Sequence, residues 1–243
     1  MRDETAVILE NTAIAPDIFR MVLRCTMEEE VHCGQFVQVQ VPGYFLRRPI
    51  SVCECIDGTM TLVYRAAGDG TREMSRMKEG DEVQIFGPLG NGFPLEKKDV
   101  ILIGGGVGVP PLVETAKAYR SFGRNVTVCL GFASKEAVIL QERFEQLGCN
   151  VLIATMDGSA GTKGTVIDAL REEGIEEGFV LACGPLPMLK AVSEKYHDGY
   201  ISLEERMACG MGACMGCVIP DQEGNAMRIC KDGPVFAIGK AVL

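Results

Sequence analysis

Short apolar segments separated by turn-forming residues fill the first part of the chain. Pairs such as Pro16-Asp17, Pro42-Gly43 and Asp57-Gly58 interrupt apolar stretches that are too short for helices. The predicted strands are Thr5–Leu9, Ile18–Arg24, Gln35–Val41, Ile50–Glu54, Thr59–Arg65 and Glu82–Phe86. Successive short strands joined by tight turns are typical of an antiparallel barrel or sandwich. The pattern therefore predicts a β-domain over residues 1–95.

The pattern changes near residue 96, where apolar strands begin to alternate with helical segments. The predicted strands are Val100–Ile103, Val126–Leu130, Val151–Thr155 and Phe179–Ala182. The helices predicted after them are Pro111–Ser121, Val138–Leu147, Val166–Glu172 and Pro187–Tyr196. Four strand–helix units with short connections predict a doubly wound parallel sheet. We assign this α/β domain to residues 96–198, so the fold class is multidomain, β followed by α/β.

The last segment, residues 199–243, is rich in glycine and cysteine and shows little periodicity. It is too short to form a hydrophobic core of its own, so it needs a metal centre or the neighbouring domains to hold it. We expect a small third subdomain here.

Charge and hydropathy exclude several classes of protein. The chain has 24 Lys and Arg against 33 Asp and Glu, a net charge of −9, and no basic stripe for nucleic acid. The longest apolar stretch, Ile101–Val113, is broken by Gly and Pro and is far shorter than the roughly 20 residues that cross a bilayer. The first residues turn acidic at once and contain no secretory signal. We therefore expect a cytoplasmic protein that binds neither nucleic acid nor membrane.

Four of the eleven cysteines fall close together, at Cys209, Cys214, Cys217 and Cys230. Cys-x4-Cys-x2-Cys followed by a distant cysteine is the plant-type spacing for a [2Fe-2S] cluster. A zinc site with four thiolate ligands is the alternative, although zinc ribbons usually contain two Cys-x2-Cys pairs. A Rieske centre is excluded, because it needs two histidine ligands near the cysteines.

A glycine-rich turn follows the first strand of the α/β domain, with the order Gly106-x-Gly108-x-x-Pro111. A strand that runs through glycines into a helix start can place a diphosphate on the N–H groups of the helix. Tight packing alone would also explain the glycines. The acidic residue expected about 20 positions on for an NAD ribose is absent. Glu136 and Lys135 lie further along, so NAD and NADP both remain open.

A third set of residues lies in the β-domain, namely Arg48-Pro49-Ile50-Ser51, then Tyr64-Arg65-Ala66, then Gly70 and Thr71. Arginine can bind a diphosphate with its fixed fork, and hydroxyl groups suit a phosphate or the edge of a flavin. Taken alone, such a segment is equally well explained as an ordinary strand start with an exposed arginine.

Together these motifs resemble a known superfamily. A β-barrel with Arg-Pro-x-Ser, a glycine-rich turn, and Cys183-Gly184-Pro185 after the last strand of the α/β domain resemble the ferredoxin–NADP reductase superfamily. The tail from Ser202 to Cys217 closely resembles the electron-transfer subunits of class 1B dihydroorotate dehydrogenases. With the tail included, the likeness extends over essentially the whole chain.

The resemblance implies three cofactor sites. FAD would bind in the barrel at Arg48, Pro49, Ile50, Ser51, Tyr64, Arg65, Ala66, Gly70 and Thr71. NAD(H), as substrate, would bind at Gly106, Gly108, Pro111, Gly184 and Pro185, with Cys183 near the hydride-transfer face or simply a buried thiol. A [2Fe-2S] cluster would be held by Cys209, Cys214, Cys217 and Cys230, in an iron–sulfur subdomain over residues 199–243.

The resemblance also implies a reaction. Dihydroorotate would be oxidised at FMN in a separate catalytic subunit, and electrons would pass through the cluster and FAD to NAD+ in pyrimidine biosynthesis. The implied assembly is a heterotetramer with two copies of each subunit. The alternative within this class is a reductase subunit of a sulfide dehydrogenase, hydrogenase or transhydrogenase. Related subunits of sulfide dehydrogenases and bifurcating transhydrogenases resemble the same layout but often carry Asp where this chain has Cys209. A zinc-held regulator that binds nucleotides is the alternative that carries no electrons.

Overall fold

The computed structural model describes all residues from Met1 to Leu243. The strands of its first part are β1 (Arg2–Ala15), β2 (Ile18–Arg24), β3 (Phe36–Val39), β4 (Arg48–Ile56), β5 (Thr59–Arg65) and β6 (Glu82–Leu89). They close into an antiparallel barrel in the order β1-β2-β5-β4-β3-β6, and helix α1 (Asp69–Met74) connects β5 to β6. All six predicted strands are present. Of the two predicted architectures, barrel and sandwich, the structure shows the barrel.

Alternating side chains fill the barrel. In β6, Val83 and Ile85 are buried while their neighbours are more exposed, and Val37 and Val39 of β3 enter the same core. This period of two is what a strand with one buried face requires. The opposite faces of these strands are free to contact the rest of the chain, and β3 uses that face in the candidate site.

The second part is the predicted α/β domain. Its elements are β7 (Val100–Gly105), α2 (Pro111–Ser121), β8 (Val126–Phe132), α3 (Gln141–Gln146), β9 (Asn150–Thr155), β10 (Thr162–Lys163), α4 (Val166–Glu172), β11 (Val180–Cys183), α5 (Leu186–Lys195), β12 (Gly199–Ser202) and β15 (Val235–Ala237). The sheet order is β10-β9-β8-β7-β11-β12-β15. The strands are parallel except for β15, which runs antiparallel to β12. The order reverses beside β7, so the carboxyl ends of β7 and β11 form the crevice where such sheets bind ligands.

The tail is attached to this sheet at both ends. Strand β12 pairs with β11 from Gly199 to Ser202, so the sheet continues past the boundary predicted at residue 198. Between β12 and β15 lie the hairpin β13 (Val218–Pro220) and β14 (Ala226–Arg228) and helix α6 (Ile229–Asp232). Buried tail residues share one hydrophobic core with both domains. Neighbouring domains therefore provide the packing that the tail lacks on its own.

Polar contacts fix the barrel against the α/β domain. The carboxylate of Glu54 in β4 accepts a hydrogen bond from Nε of Arg143 at 3.1 Å. On the same strand, the N–H of Cys55 donates to Glu114 at 2.9 Å, and Lys117 donates to the Cys55 carbonyl at 2.7 Å. These contacts hold one barrel edge against α2 and α3, and they set how the two domains face each other at the crevice.

Candidate functional site

A cleft of about 410 Å³ lies between the barrel, the tail and the carboxyl ends of β7 and β11. Predicted site residues from both domains line it, namely Pro49, Ser51, Arg65, Gly106, Gly108, Cys183, Gly184 and Pro185. The tail closes one side with the segment from Ser202 to Glu205 and with Met207. The topology thus gathers in one place residues that are far apart in the sequence.

The cleft continues into a groove of about 980 Å³ along the barrel, which we call the barrel groove. Pro49, Arg65 and Met207 line both, so the two spaces are continuous. The remaining predicted residues of the groove are Arg48, Gly70 and Thr71. An elongated groove that opens into a cleft between domains suits a long ligand such as a dinucleotide.

Arg48 is held in place by its neighbours in the barrel groove. Its guanidinium carbon lies 4.6 Å from the centre of the Tyr44 ring, and the guanidinium donates a hydrogen bond to the Leu46 carbonyl. A Cβ atom on Gly70 would lie 2.1 Å from Nε of Arg48, so a larger residue there would push the guanidinium out of this position. The Thr71 hydroxyl contacts the N–H and the carbonyl of Gly68, which secures the start of α1. A preorganised cation of this kind suits a diphosphate.

Four predicted residues do not contribute side chains to these spaces. Tyr64 lies inside the barrel, stacks on Phe19, and donates its hydroxyl proton to Asn11 at 2.9 Å. Burial raises the pKa of Tyr64 to about 12. Pro111 is buried at the start of α2. The other two, Ile50 and Ala66, are half-buried outside the lining.

The glycine-rich turn makes a close contact with the loop after β11. A Cβ atom on Gly108 would lie 2.3 Å from the carbonyl oxygen of Cys183 and 2.5 Å from Cα of Gly184. Gly106 has a φ of +52°, a conformation that favours glycine. Gly108 therefore packs tightly against the loop after β11, whereas a Cβ atom on Gly106 would meet open space, and both glycines line the cleft.

Replacing Gly108 by valine should force the two turns apart. The obstructing atoms are backbone, which cannot move aside as a flexible side chain could. We expect a loss of about 1–3 kcal/mol in stability, typical of overpacking, and slower reduction of the bound flavin by NADH. Thermal unfolding and stopped-flow absorbance would measure both, with FAD content as the control. An unchanged rate of flavin reduction would separate this turn from the nicotinamide site.

A third space, the sheet cavity, occupies about 490 Å³ at the carboxyl ends of β7 and β8. Phe132, Met156, Thr165 and Met188 line it, and the motifs did not point to any of them. Only their position in the sequence could have indicated them, because each follows or faces the end of a strand in a parallel sheet, where ligands bind. Arg65 lines this cavity as well as the cleft.

The loop after β8 contains Lys135 and Glu136, the two residues on which the choice between NAD and NADP depends. Glu136 accepts a hydrogen bond from the Ser134 hydroxyl at 2.7 Å, and this bond lowers the pKa of the Glu136 carboxyl. The Lys135 N–H donates to Ser159 at 2.7 Å, while its side chain is exposed. Neither residue lines the sheet cavity, the cleft or the barrel groove.

Cys183 lies at the end of β11 and lines the cleft. Burial raises its pKa to about 12, and a hydrogen bond with Ser202 partly opposes the shift. The group is therefore a neutral thiol near neutral pH. Residues of both domains line the cleft around it, and its place near the hydride-transfer face stays a prediction.

Backbone N–H groups surround the sulfur atoms of the tail. The N–H groups of Ala213 and Cys214 point to Sγ of Cys209 at 3.3 and 3.4 Å, and that of Gly212 points to Sγ of Cys230 at 3.1 Å. The N–H of Cys230 points to Sγ of Cys217 at 3.4 Å. Burial opposes ionisation of Cys209, but hydrogen bonds from Met211, Cys214 and Ala213 outweigh it and lower its pKa to about 6. Such bonds stabilise thiolate ligands.

The four thiols associate in two pairs. The N–H of Cys214 points to Sγ of Cys209, and the N–H of Cys230 points to Sγ of Cys217. In a two-iron cluster each iron takes two thiolates, whereas a structural zinc ion takes all four. The pairing therefore suits a [2Fe-2S] cluster. Cys214 is exposed, while Cys217 and Cys230 are buried, so one edge of this site reaches the surface.

Comparison with known proteins adds independent findings. Residues 204–241 match the iron–sulfur cluster binding domain of dihydroorotate dehydrogenase B, and residues 102–194 match the oxidoreductase NAD-binding domain. The electron transfer subunits of dihydroorotate dehydrogenase B (NAD(+)) from Geobacillus sp. (strain WCH70) and Bacillus cereus (strain B4264) are 43% and 41% identical, over all of both chains. A solved NADH-dependent reduced ferredoxin–NADP oxidoreductase is 32% identical, with a TM-score of 0.89, over 98% of this chain and 89% of its own.

Fold and site together define an oxidoreductase subunit of the ferredoxin reductase type, with an NAD-binding domain and an iron–sulfur tail. Within that class, the chain belongs to the family of dihydroorotate dehydrogenase B electron transfer subunits. The predicted family, fold class and cofactor set of FAD, [2Fe-2S] and NAD(H) are confirmed. No helix is both long and apolar enough to cross a lipid bilayer.

Proposed function

We propose that the chain carries electrons from an FMN-containing dihydroorotate dehydrogenase subunit to NAD+ in pyrimidine biosynthesis. The order of the three sites along the molecule carries this proposal. Glu204 and Met207 line the barrel groove and lead directly into Cys209. Arg65 lines both the groove and the sheet cavity. The flavin site thus lies between the cysteines and the nicotinamide site.

The barrel groove and the cleft hold FAD in this proposal. The Arg48 guanidinium binds the diphosphate, and Gly70 leaves room for it. Pro49 and Ser51 lie at the cleft end, where they contact the flavin ring. FAD, when bound, exchanges hydride with nicotinamide and single electrons with a cluster. Ile50, Tyr64 and Ala66 act through the backbone of the barrel strands, because their side chains lie outside the lining.

NAD(H) binds across the sheet cavity and the cleft. Gly106 and Gly108 let its diphosphate approach the backbone before α2. Pro111 begins that helix, at a position where a backbone N–H would have no hydrogen-bond partner within the helix. Gly184 and Pro185 shape the opposite wall, and Cys183 contacts the nicotinamide as a neutral thiol. The nucleotide in this proposal is NAD, which is also the nucleotide in the names of the Bacillus and Geobacillus relatives.

Cys209, Cys214, Cys217 and Cys230 are the cluster ligands in this proposal. The pairing of their sulfurs and the surrounding N–H groups support it. The exposed edge at Cys214 is where the catalytic subunit approaches, since electrons must enter from outside the chain. We propose a heterotetramer with two copies of each subunit. Eleven free thiols fit a reducing compartment, so we propose a cytoplasmic location.

A second candidate is a reductase subunit of another complex, such as a sulfide dehydrogenase, hydrogenase or transhydrogenase. The structural similarity to the NADH-dependent reduced ferredoxin–NADP oxidoreductase favours it. The full set of four cysteines and the identity of more than two fifths to the Geobacillus relative favour the dihydroorotate assignment.

Reconstitution decides between the two candidates. The purified chain, loaded with FAD and cluster, is mixed with an FMN-containing dihydroorotate dehydrogenase subunit encoded by the same organism. We expect dihydroorotate to drive NADH formation, measured by its absorbance, and either protein alone to give none. A fully loaded chain that reduces an artificial acceptor with NADH, but yields no NADH from dihydroorotate, would contradict the assignment.

A further inference from the structure

Gln38 lies where the barrel meets the cysteine segment of the tail. Its neighbours Val37 and Val39 enter the barrel core, so the Gln38 side chain lies on the outer face of β3, where it is only 1% exposed. Its Nε2 donates a hydrogen bond to the carbonyl of Ala208 at 3.3 Å. A Cβ atom on Gly210 would lie 2.2 Å from the same nitrogen, and Gly210 has a φ of +69°. The amide therefore contacts both residues that flank Cys209.

Barrel stability does not account for a glutamine at this position. Its Oε1 is buried and has no hydrogen-bond partner. An unpaired buried carbonyl costs free energy, which a methionine of similar size would avoid. The residue therefore has a role that an apolar side chain of the same shape could not fill. The contact that such a side chain would lose is the bond to Ala208.

The same strand reaches the flavin site. Gln38 is paired with Pro49 of the neighbouring strand β4, and Pro49 lines both the cleft and the barrel groove. Phe36, two residues earlier on β3, lines the cleft and packs in one core with Cys217 and Cys230. One strand thus contacts the lining of the flavin site on one side and the segment around Cys209 on the other.

We propose that Gln38 is a positioning residue that fixes Cys209, and with it the cluster, relative to the flavin. It acts through its hydrogen bond to the Ala208 carbonyl and changes neither charge nor covalent state itself. The inference rests on the proposed assignment of Cys209 as a ligand. Outer-shell hydrogen bonds of this kind are worth about 10- to 100-fold in affinity or activity at metal sites.

The test replaces Gln38 by methionine in the full chain, loaded with FAD and cluster. Gln40→Met is the matched control. Gln40 lies two residues after Gln38 and lines with it a small surface cavity beside Cys209, but it donates to the Val41 and Tyr44 carbonyls instead. After mixing with NADH, we expect flavin reduction at the wild-type rate in Gln38→Met. Reduction of the cluster should be about 10-fold slower or more, and its electron paramagnetic resonance spectrum should be altered. The temperature of unfolding should be unchanged or higher.

Two results would overturn the inference. One is a wild-type resonance spectrum and cluster reduction rate in Gln38→Met. The other is an equal loss in Gln38→Met and Gln40→Met, which would indicate general damage to the barrel. Failure of the ligand assignment is detected separately, since Cys209→Ser would then keep the cluster. The test uses NADH and the chain alone, so a failed reaction with dihydroorotate would leave its result interpretable.

Discussion

Cys214→Ser is expected to abolish the cluster and all electron exchange with the catalytic subunit. Serine has the size of cysteine but offers a hydroxyl, which is a poor ligand for iron at neutral pH. Cys214 is exposed, so its replacement leaves the hydrophobic packing of the tail intact. NADH should still reduce FAD, because that site lies in the cleft. The loss should therefore be specific to the second half of the reaction.

Iron and sulfide analysis, visible absorbance and electron paramagnetic resonance measure the cluster directly. Cys149→Ser is the matched control, because this half-buried thiol lies in the α/β domain and should keep the full cluster content. A Cys214→Ser protein with wild-type iron and spectrum would remove Cys214 from the ligand set. Zinc in place of iron in the wild-type protein would instead support the zinc alternative.

Arg48→Ala is expected to weaken FAD binding by about 10- to 100-fold. A hydrogen bond to a charged group contributes about 1.5–3 kcal/mol, and each 1.4 kcal/mol is a factor of ten in affinity. Gly70→Val should have a similar effect by another route, because its side chain would displace the guanidinium. Weaker FAD binding in both variants would therefore support the position of the Arg48 guanidinium as the cause.

FAD content after gel filtration and titration of the apoprotein with FAD measure the effect. Arg72→Ala is the control, since Arg72 lies on α1 with Gly70 but is paired with Asp69 at 3.1 Å on the surface. If Arg48→Ala keeps wild-type FAD affinity, the diphosphate lies elsewhere. If Arg72→Ala loses FAD equally, the charge of the barrel face matters more than the position of Arg48.

Local patterns in the sequence predict most of this fold. Turn pairs such as Asp57-Gly58 end strands because their backbone conformations exclude continuation, and this physics acts over a few residues. The Cys-x4-Cys-x2-Cys spacing is equally local. The pairing of β12 with β15 is not a local feature, because more than thirty residues separate the two strands and β15 is only three residues long. No periodicity can be read from so short a strand.

In the candidate site, too, some features can be predicted from the local sequence and others depend on the tertiary fold. Glycines at Gly70 and Gly108 are visible in the sequence, but what occupies the space beside them depends on the tertiary fold. The resemblance names Tyr64 as an FAD-binding residue, but its side chain packs inside the barrel, since strand register decides which face a residue occupies. Gln38 gives no signal at all in a strand of apolar neighbours, and only its contact with the tail reveals it.

Strand β15 bears on whether the barrel and the α/β domain could exist without the tail. Its three residues cover the edge of β12, and a short antiparallel strand is a poor template for association with another sheet. A chain cut after residue 202 would leave β12 as an uncovered edge, open to pairing with a second molecule. We therefore expect loss of the iron–sulfur tail to lower the solubility of the α/β domain as well as to remove the electron carrier.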